Sequence, residues 1–414
     1  MSRFQVPKGT FDVLPAEQAV RERIETAARG LFTRAGYGRI ETPAFEDSEL
    51  FARGVGEATD IVRKEMFSFE DKGGRSVTLR PEGTAPICRA YVEQGMHKLA
   101  QPVKLWYQGP FFRYEAPQAG RFRQFNQIGA EALGSDSPLV DVESIMLLDD
   151  LLRELGVPGV ELRLGSLGSQ AARAAYREEL KAYLREHEAE LSRDVRERID
   201  ANPLRAFDAD DEGTQAVMAG APTMLDRLDG EDAEHFAEVR SLLDSAGVEY
   251  RLDGTLVRGL DYYTRTIFEF NCDRLGAQSG IGGGGRYDGL VEQLGGPPTA
   301  AIGWAAGVER IVLALDAPAP AASSDVFVVA PETERRRAMA LVVELRRSGL
   351  IADADMAGRS IKGQLKHADR VGARHALILE EDGAAQLRDM SRGEQRSVDV
   401  ATVAEELAAE PSDD

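Results

Sequence analysis

The sequence predicts an α+β domain interrupted by a helical insertion and followed by a small α/β domain, on three observations. Aromatic and glycine-rich segments in the first third give way, from Ser169 to Gly247, to a stretch rich in Ala, Glu, Arg and Leu; the earlier style then resumes from Tyr250 to Leu315. A Pro/Ala/Ser run, DAPAPAASSD (Asp316 to Asp325), marks a second boundary. Beyond it, strand-like and helix-like segments alternate, as in a small domain with a largely parallel sheet. At 414 residues the chain is also too long for one ordinary compact core.

Taken in order, residues 16–36 carry Val20, Ile24, Ala27, Ala28, Leu31 and Phe32 at helical spacing and stop at Gly36, as a glycine-capped amphipathic helix does. GRIETPAFED reads as a short extended piece interrupted by Pro43, and VTLRPEGTAPICRAYVEQG as a strand running into a helix. KLWYQGPFFRYE and RFRQFNQIGAEALG alternate in polarity on either side of APQAG, which makes a hairpin with a long basic loop. A helix follows from Pro138 to Leu155. In the last domain VFVVAP, ERRRAMALVVELRRSG, IADADM, RSIKGQLKHADRVG and HALILEED read as strand, helix, strand, helix, strand, and the acidic end EELAAEPSDD as a frayed tail. The expected domains are residues 1–168 with 248–317, the insertion 169–247, a linker 318–323 and a final domain 324–414.

Composition narrows the function. With 43% hydrophobic and 29% charged residues this is ordinary globular protein. No run approaches the roughly 20 apolar residues of a membrane span, and MSRFQVPKGT lacks a signal-peptide core, so a cytoplasmic protein with no membrane partner is expected. Cys88 and Cys272 are too few for a disulfide framework. A net charge of −20, from 50 basic and 70 acidic residues, argues against nucleic acid if taken alone. The basic residues are grouped, however: Arg113, Arg121 and Arg123; Arg335 to Arg337; and Arg359, Lys362, Lys366, Arg370 and Arg374. Such groups steer an anionic partner while the rest of the surface stays acidic.

Gly280, Gly282 and Gly285 satisfy G-x-G-x-x-G, yet no βαβ unit surrounds them and no acidic residue stands about 20 positions on, so a dinucleotide site is rejected. The glycines read instead as a loop whose backbone approaches something closely. No kinase catalytic-loop or nucleophile-elbow signature occurs. The histidines at 97, 187, 235, 367 and 375 are scattered, and no protein-held transition metal is expected. What remains is arginine on glycine- or aromatic-flanked segments: Arg113 in FFRYE, Arg258 in VRGLDYY and Arg310 in GVERIVLAL. Each alone suits a surface salt bridge, but three together suit the charge of a phosphoryl transition state.

These segments, in this order, resemble the class II aminoacyl-tRNA synthetases and, within them, the histidine family. GYGRIETPAFE (Gly36 to Glu46) is similar to motif 1, FFRYE with its loop and the strand to Glu131 to motif 2, and AIGWAAGVERIVLAL (Ala301 to Leu315) to motif 3. RGLDYYTRTIFEF (Arg258 to Phe270) and GGGGRYDGL (Gly282 to Leu290) resemble the two histidine-specific segments. KGTFDVLP matches the family's N-terminal segment except for Phe11, where arginine is frequent. The resemblance implies an antiparallel sheet flanked by helices, a homodimer built through motif 1, and a C-terminal anticodon-binding domain.

It also implies roles. Glu82, Gly83 and Thr84 hold the α-amino group of L-histidine; Gln127, Glu131, Tyr262 and Tyr263 line its pocket; Arg113 and Arg258 are the catalytic residues that grip the α-phosphate of ATP from two sides and border the histidine. Glu115 takes the adenine amino group, with Phe125 and Arg310 sandwiching the ring. Arg121, Arg123, Lys362 and Lys366 are candidate tRNA contacts. The implied reaction ligates L-histidine to tRNA(His) through histidyl-adenylate, with ATP as substrate accompanied by Mg2+, releasing AMP and diphosphate. The alternative is a synthetase-like regulatory subunit of histidine biosynthesis, which lacks the C-terminal domain and degrades RGLDYY; a synthetase-like module without catalysis tolerates loss of Arg258 or Glu82. All these features are present here.

Overall fold

The computed structural model describes residues 4–56, 59–118, 120–276, 279–316 and 324–409, so the expected linker at 318–323 and the end of the acidic tail lie outside the described residues. The chain forms two compact units, Met1–Ala317 and Pro318–Asp414. The strands of the first unit are β1 (Gly38–Arg39), β2 (Phe45–Asp47), β3 (Phe67–Glu70), β4 (Ser76–Leu79), β5 (Val103–Phe112), β6 (Gln124–Leu133), β7 (Val160–Ser166), β8 (Arg251–Leu252), β9 (Thr264–Cys272), β10 (Gly280–Arg286) and β11 (Ala301–Gly307). Its helices are α1 (Pro15–Arg34), α2 (Ser48–Val55), α3 (Thr84–Glu93), α4 (Pro138–Leu155), α5 (Gln170–Glu186), α6 (Arg193–Arg198), α7 (Glu212–Met218), α8 (Gly230–Ser245), α9 (Leu290–Gln293) and α10 (Val308–Leu315).

Eight strands form the main sheet in the order β1-β5-β6-β11-β10-β9-β7-β8, antiparallel except for the outer pairs β1/β5 and β7/β8. Local chemistry sets several boundaries. Pro15 opens α1, and Ser137 caps α4 by accepting from Leu139 N at 3.3 Å, with left-handed Gly156 closing it. The expected hairpin is β5 and β6, ten paired residues each, from Val103↔Leu133 to Phe112↔Gln124.

Strand alternation divides the sheet into two faces. Ile128, Ala130 and Ala132 of β6, Phe268, Phe270 and Cys272 of β9, and Ile302, Trp304 and Ala306 of β11 pack into one core with α1, α4, α8 and α10, where Phe32 stacks on Trp106 and Trp304. The opposite face carries Phe125, Gln127, Gly129 and Glu131 of β6 and Ile267, Glu269 and Asn271 of β9, and there the sheet stays partly open. The helical stretch divides by packing as well. Tyr176, Leu180, Val195 and Leu204 build a cluster of their own, whereas Phe236, Val239 and Leu243 of α8 join the core of the main sheet.

The glycine run is a strand, not the loop expected from sequence. β10 pairs with β9 and β11 in the centre of the sheet, and neighbouring backbone fills the space where side chains would stand: a Cβ on Gly284 would lie 1.9 Å from Gly303 O. Arg286 follows the run, fully buried, with Nη2 2.6 Å from Asp141 of α4 and further bonds to the carbonyls of Ser135 and Ser137.

In the second unit β12 (Val326–Val329), β13 (Ala352–Ala354), β14 (His375–Leu379), β15 (Ala385–Asp389) and β16 (Gln395–Ser397) order as β13-β12-β14-β15-β16, with α11 (Arg335–Arg347), α12 (Ile361–Arg370) and α13 (Val403–Ala409). Only the first three strands are parallel; β14 turns tightly into β15 through Glu380 N to Ala384 O at 2.9 Å, a connection too short for a parallel crossover. The part of the acidic end read as frayed is instead the helix α13, because Val403, Ala404 and Leu407 fall on one side and bury there.

Candidate functional site

One register row across the open face explains where the site lies. It runs Tyr107↔Gly129↔Ala305↔Gly283↔Glu269↔Arg163, with three small residues between large ones, so the sheet itself forms a trough. Two cavities occupy it. The smaller, of about 190 Å³, is bounded by Ile61, Glu82, Gly83, Thr84, Tyr107, Tyr262 and Tyr263. The larger, of about 580 Å³, is bounded by Glu115, Arg121, Phe125, Arg163, Glu269, Asn271, Gly280 and Arg310. Arg113, Gln127, Arg258, Gly283 and Ala305 line both, so the two compartments meet between a pair of arginines.

Each wall is built from a different element. Glu82 precedes α3, and its carboxylate accepts from the free N–H groups of Thr84 at 2.8 Å and Ala85 at 2.9 Å, an arrangement favoured at a helix N-terminus. Tyr262 also donates to it, at 3.3 Å. Burial pushes the Glu82 carboxyl up, against the pull of those N–H groups and of Arg113. Thr84 donates to Glu131 Oε1 at 2.8 Å and Tyr287 to Glu131 Oε2 at 2.6 Å. Glu131 is fully buried, and burial holds its carboxyl up to about 8. Gly83 is required by Tyr107, since a Cβ there would stand 2.6 Å from the phenol ring.

Both arginines at the junction are anchored. Arg113 Nε donates to Pro81 O at 2.9 Å, and its guanidinium lies 5.4 Å from the centre of the Phe125 ring. Arg258 Nη1 donates to Glu269 Oε2 at 2.6 Å, and a Cβ on Gly283 would come within 3.0 Å of that nitrogen. Burial opposes the charge of Arg258, but Tyr263 and Glu269 outweigh it and its pKa is raised. Arg310, on α10, donates to the carbonyl of Gly280. Gln127 Oε1 is buried without a partner among the described residues, as suits a group facing a ligand.

The structure thus brings Glu82, Gly83, Thr84, Arg113, Gln127, Arg258, Tyr262 and Tyr263 to one compartment and Arg113, Glu115, Phe125 and Arg310 to the other. Glu131 is not on the cavity wall; it stands behind Thr84 and Tyr287, because the row Leu105↔Glu131↔Gly303 lies beyond the trough. Of the loop arginines, Arg121 lines the larger cavity and pairs with Glu115 at 3.3 Å, while Arg123 stacks on Tyr114 at 3.7 Å and packs against Gly9. In the second unit Lys362 and Lys366 are exposed on α12, with no ion pair among the described residues, whereas Arg335 and Arg337 pair with Glu332 and Glu334 on the same turn. Sequence reading missed Tyr107, whose alternation with Trp106 looks like core, and Arg163, Asp208 and Asp210, which come from segments without a motif. Among the described residues no three His, Cys, Asp or Glu side chains are placed to hold a metal ion.

The sequence and the fold are matched by relatives. Residues 9–311 match the histidyl-tRNA synthetase family model, and residues 325–410 the model of an anticodon-binding domain. A histidine–tRNA ligase from Rubrobacter xylanophilus is 49% identical over 409 residues, covering 95% of this chain and 96% of its own, and one from Streptomyces avermitilis is 47% identical over 419 residues, covering 99% of each. The apo crystal structure of Staphylococcus aureus histidyl-tRNA synthetase superposes with a TM-score of 0.82 at 35% identity, over 98% of this chain and 100% of that one. A Bacillus halodurans chain described as an ATP phosphoribosyltransferase regulatory subunit/histidyl-tRNA synthetase has the same fold, with a TM-score of 0.67 at 23% identity, over 91% of this chain and 98% of that one. On the length of the family match and the identity of these relatives, this chain belongs to the histidyl-tRNA synthetase family.

Proposed function

We propose that this chain joins L-histidine to tRNA(His) in two steps, and the observation that carries the reading is the pair of cavities meeting between Arg113 and Arg258. A histidine carboxylate oxygen attacks the α-phosphorus of ATP at that junction. The bond to diphosphate breaks, and the two guanidiniums stabilise charge on the phosphoryl oxygens. The terminal ribose hydroxyl of the tRNA then takes the acyl group, and AMP leaves.

The smaller cavity takes the amino acid. The Thr84 hydroxyl hydrogen is committed to Glu131, so its oxygen is free to accept from the α-ammonium group beside the Glu82 carboxylate. Gln127, with its unpaired oxygen, and Tyr262 and Tyr263 face the imidazole, and a substrate that leaves such groups unpaired is rejected. Glu131 acts from behind by fixing Thr84 and Tyr287. The larger cavity takes ATP, with adenine between Phe125 and Arg310 and its amino group toward Glu115. Glu115 and Glu269 are each engaged by an arginine, so magnesium enters with ATP as part of the substrate.

The remaining assignments follow the same reading. Residues 1–168 and 248–317 are the catalytic domain, 169–247 the insertion and 324–414 the anticodon-binding domain. Lys362 and Lys366, exposed and without an ion pair among the described residues, offer their cations to tRNA, and Arg121 and Arg123 sit on the motif 2 loop. The sheet β2-β4-β3 exposes Phe45 and Phe69, about half of each side chain, and a second copy of the chain covers them in a homodimer. No helix among the described residues is long and apolar enough to cross a membrane. The cytoplasmic reading rests on the two cysteines, both free and buried, as suits a reducing compartment. Histidine-dependent exchange of pyrophosphate into ATP by the purified chain is the test; exchange is expected with histidine alone among the amino acids, and its absence sinks the reading.

A further inference from the structure

The insertion grips the tyrosine segment of the amino-acid cavity from behind. Arg173 on α5 directs Nη1 to two main-chain carbonyls, Asp261 O at 2.7 Å and Tyr263 O at 2.9 Å, and its Nη2 stands 3.8 Å from Asp261 Oδ1. Those carbonyls bracket Tyr262, whose ring lies 4.7 Å from that of Tyr263 and whose hydroxyl reaches Glu82. One guanidinium therefore spans the tyrosine pair that walls the cavity. Donors on a cation make strong bonds to carbonyls in such a partly buried setting, and their loss leaves both acceptors unsatisfied.

A second contact holds the same segment further along. Arg265 has a φ of +45°, a left-handed conformation that a residue with a side chain adopts only when its surroundings impose it. Its Nε donates to Asp232 of α8 at 3.2 Å, and its amide donates to Gly168 O at 2.7 Å, just before the insertion begins. The insertion also touches the opposite wall: Arg205 and Arg198 lie 3.1 and 3.6 Å from Asp60, next to Ile61 of the smaller cavity.

We propose that Arg173 is a positioning residue for the amino-acid half-reaction: by holding the carbonyls of Asp261 and Tyr263 it sets Tyr262 and Tyr263 at the cavity wall, so the insertion tunes histidine recognition without touching histidine. The inference rests on the proposed function and predicts an asymmetry that a general packing role does not. Disturbing Arg173 displaces one compartment and leaves the other in place.

The test measures pyrophosphate exchange with the full chain, its Arg173→Gln variant and its Arg173→Lys variant, titrating histidine and ATP separately. Arg173→Gln is expected to raise the KM for histidine about tenfold, the equivalent of about one net hydrogen bond to a charged group, with the KM for ATP unchanged. Arg173→Lys, a point charge on the same stem, is expected to fall between parent and Gln variant. Variants that melt with the parent and show no change in the histidine KM, or equal changes for histidine and ATP, overturn the inference. If Arg173→Gln fails to fold, the lysine variant decides: a folded Lys variant with the parent's histidine KM overturns it. A parent chain without exchange refutes the proposed function instead, so the two failures are distinct.

Discussion

Arg258 is held by Glu269 and packs over Gly283, where a Cβ would crowd it, before any substrate arrives, and a preorganised cation acts mostly on the charge that develops in the transition state. Arg258→Ala is accordingly expected to lower the exchange rate by about 10²- to 10³-fold while changing equilibrium histidine binding far less. Equal losses in the two measurements would refute the phosphate role. Glu131 yields a prediction of another kind. Its carboxyl is raised to about 8 from an ordinary value of 4.5, so between those values the folded chain keeps a proton that the unfolded chain releases. The stability this contributes is present in full below the lower value and is lost as pH rises through the upper one. Glu131→Gln is neutral at every pH, so the parent should lose melting temperature relative to this variant as pH rises across that window. Parallel profiles would place the titration elsewhere.

Among the elements, β10 departs furthest from its sequence signal. Glycine disfavours strands because it has no side chain to pack and much backbone freedom to lose, so GIGGGGR reads as a loop. β9 and β11 make it a strand, and their backbones occupy the Cβ positions. Gly284→Ala is therefore expected to destabilise the chain by at least about 1–3 kcal/mol, the scale of overpacking in a tight core. A denaturant titration checks this, and an unchanged midpoint would mean that the strand gives way at no cost. The hairpin β5/β6 and helix α4 were legible because their signals are local: alternation over ten paired residues in the first, a Ser-Pro start and glycine stop in the second. Helix α13 was not, since its acidic composition hid three apolar positions whose partner is the sheet of the second unit.

For the whole molecule, the division into two compact units sets up a truncation experiment. Deleting residues from Ser324 onward is expected to spare histidine-dependent exchange, because every lining residue of both cavities lies in the first unit, and to weaken tRNA charging. Undiminished charging by the truncated chain would remove Lys362 and Lys366 from the tRNA surface. Part of this organisation was readable from residue order alone: a separate C-terminal unit with its βαβαβ start, and the segments that carry the arginines and tyrosines of the cavities. These depend on periodicity, capping and turn chemistry within a few residues of chain. Other properties arise where residues far apart in the chain meet, as Glu131 meets Tyr287 across 156 positions and Arg286 meets Asp141 across 145. The strand made of glycines, the raised carboxyl of Glu131 and the hold of Arg173 on the tyrosine segment belong to that second group. Each depends on which backbone or dielectric surrounds a residue, and only the folded packing supplies those surroundings.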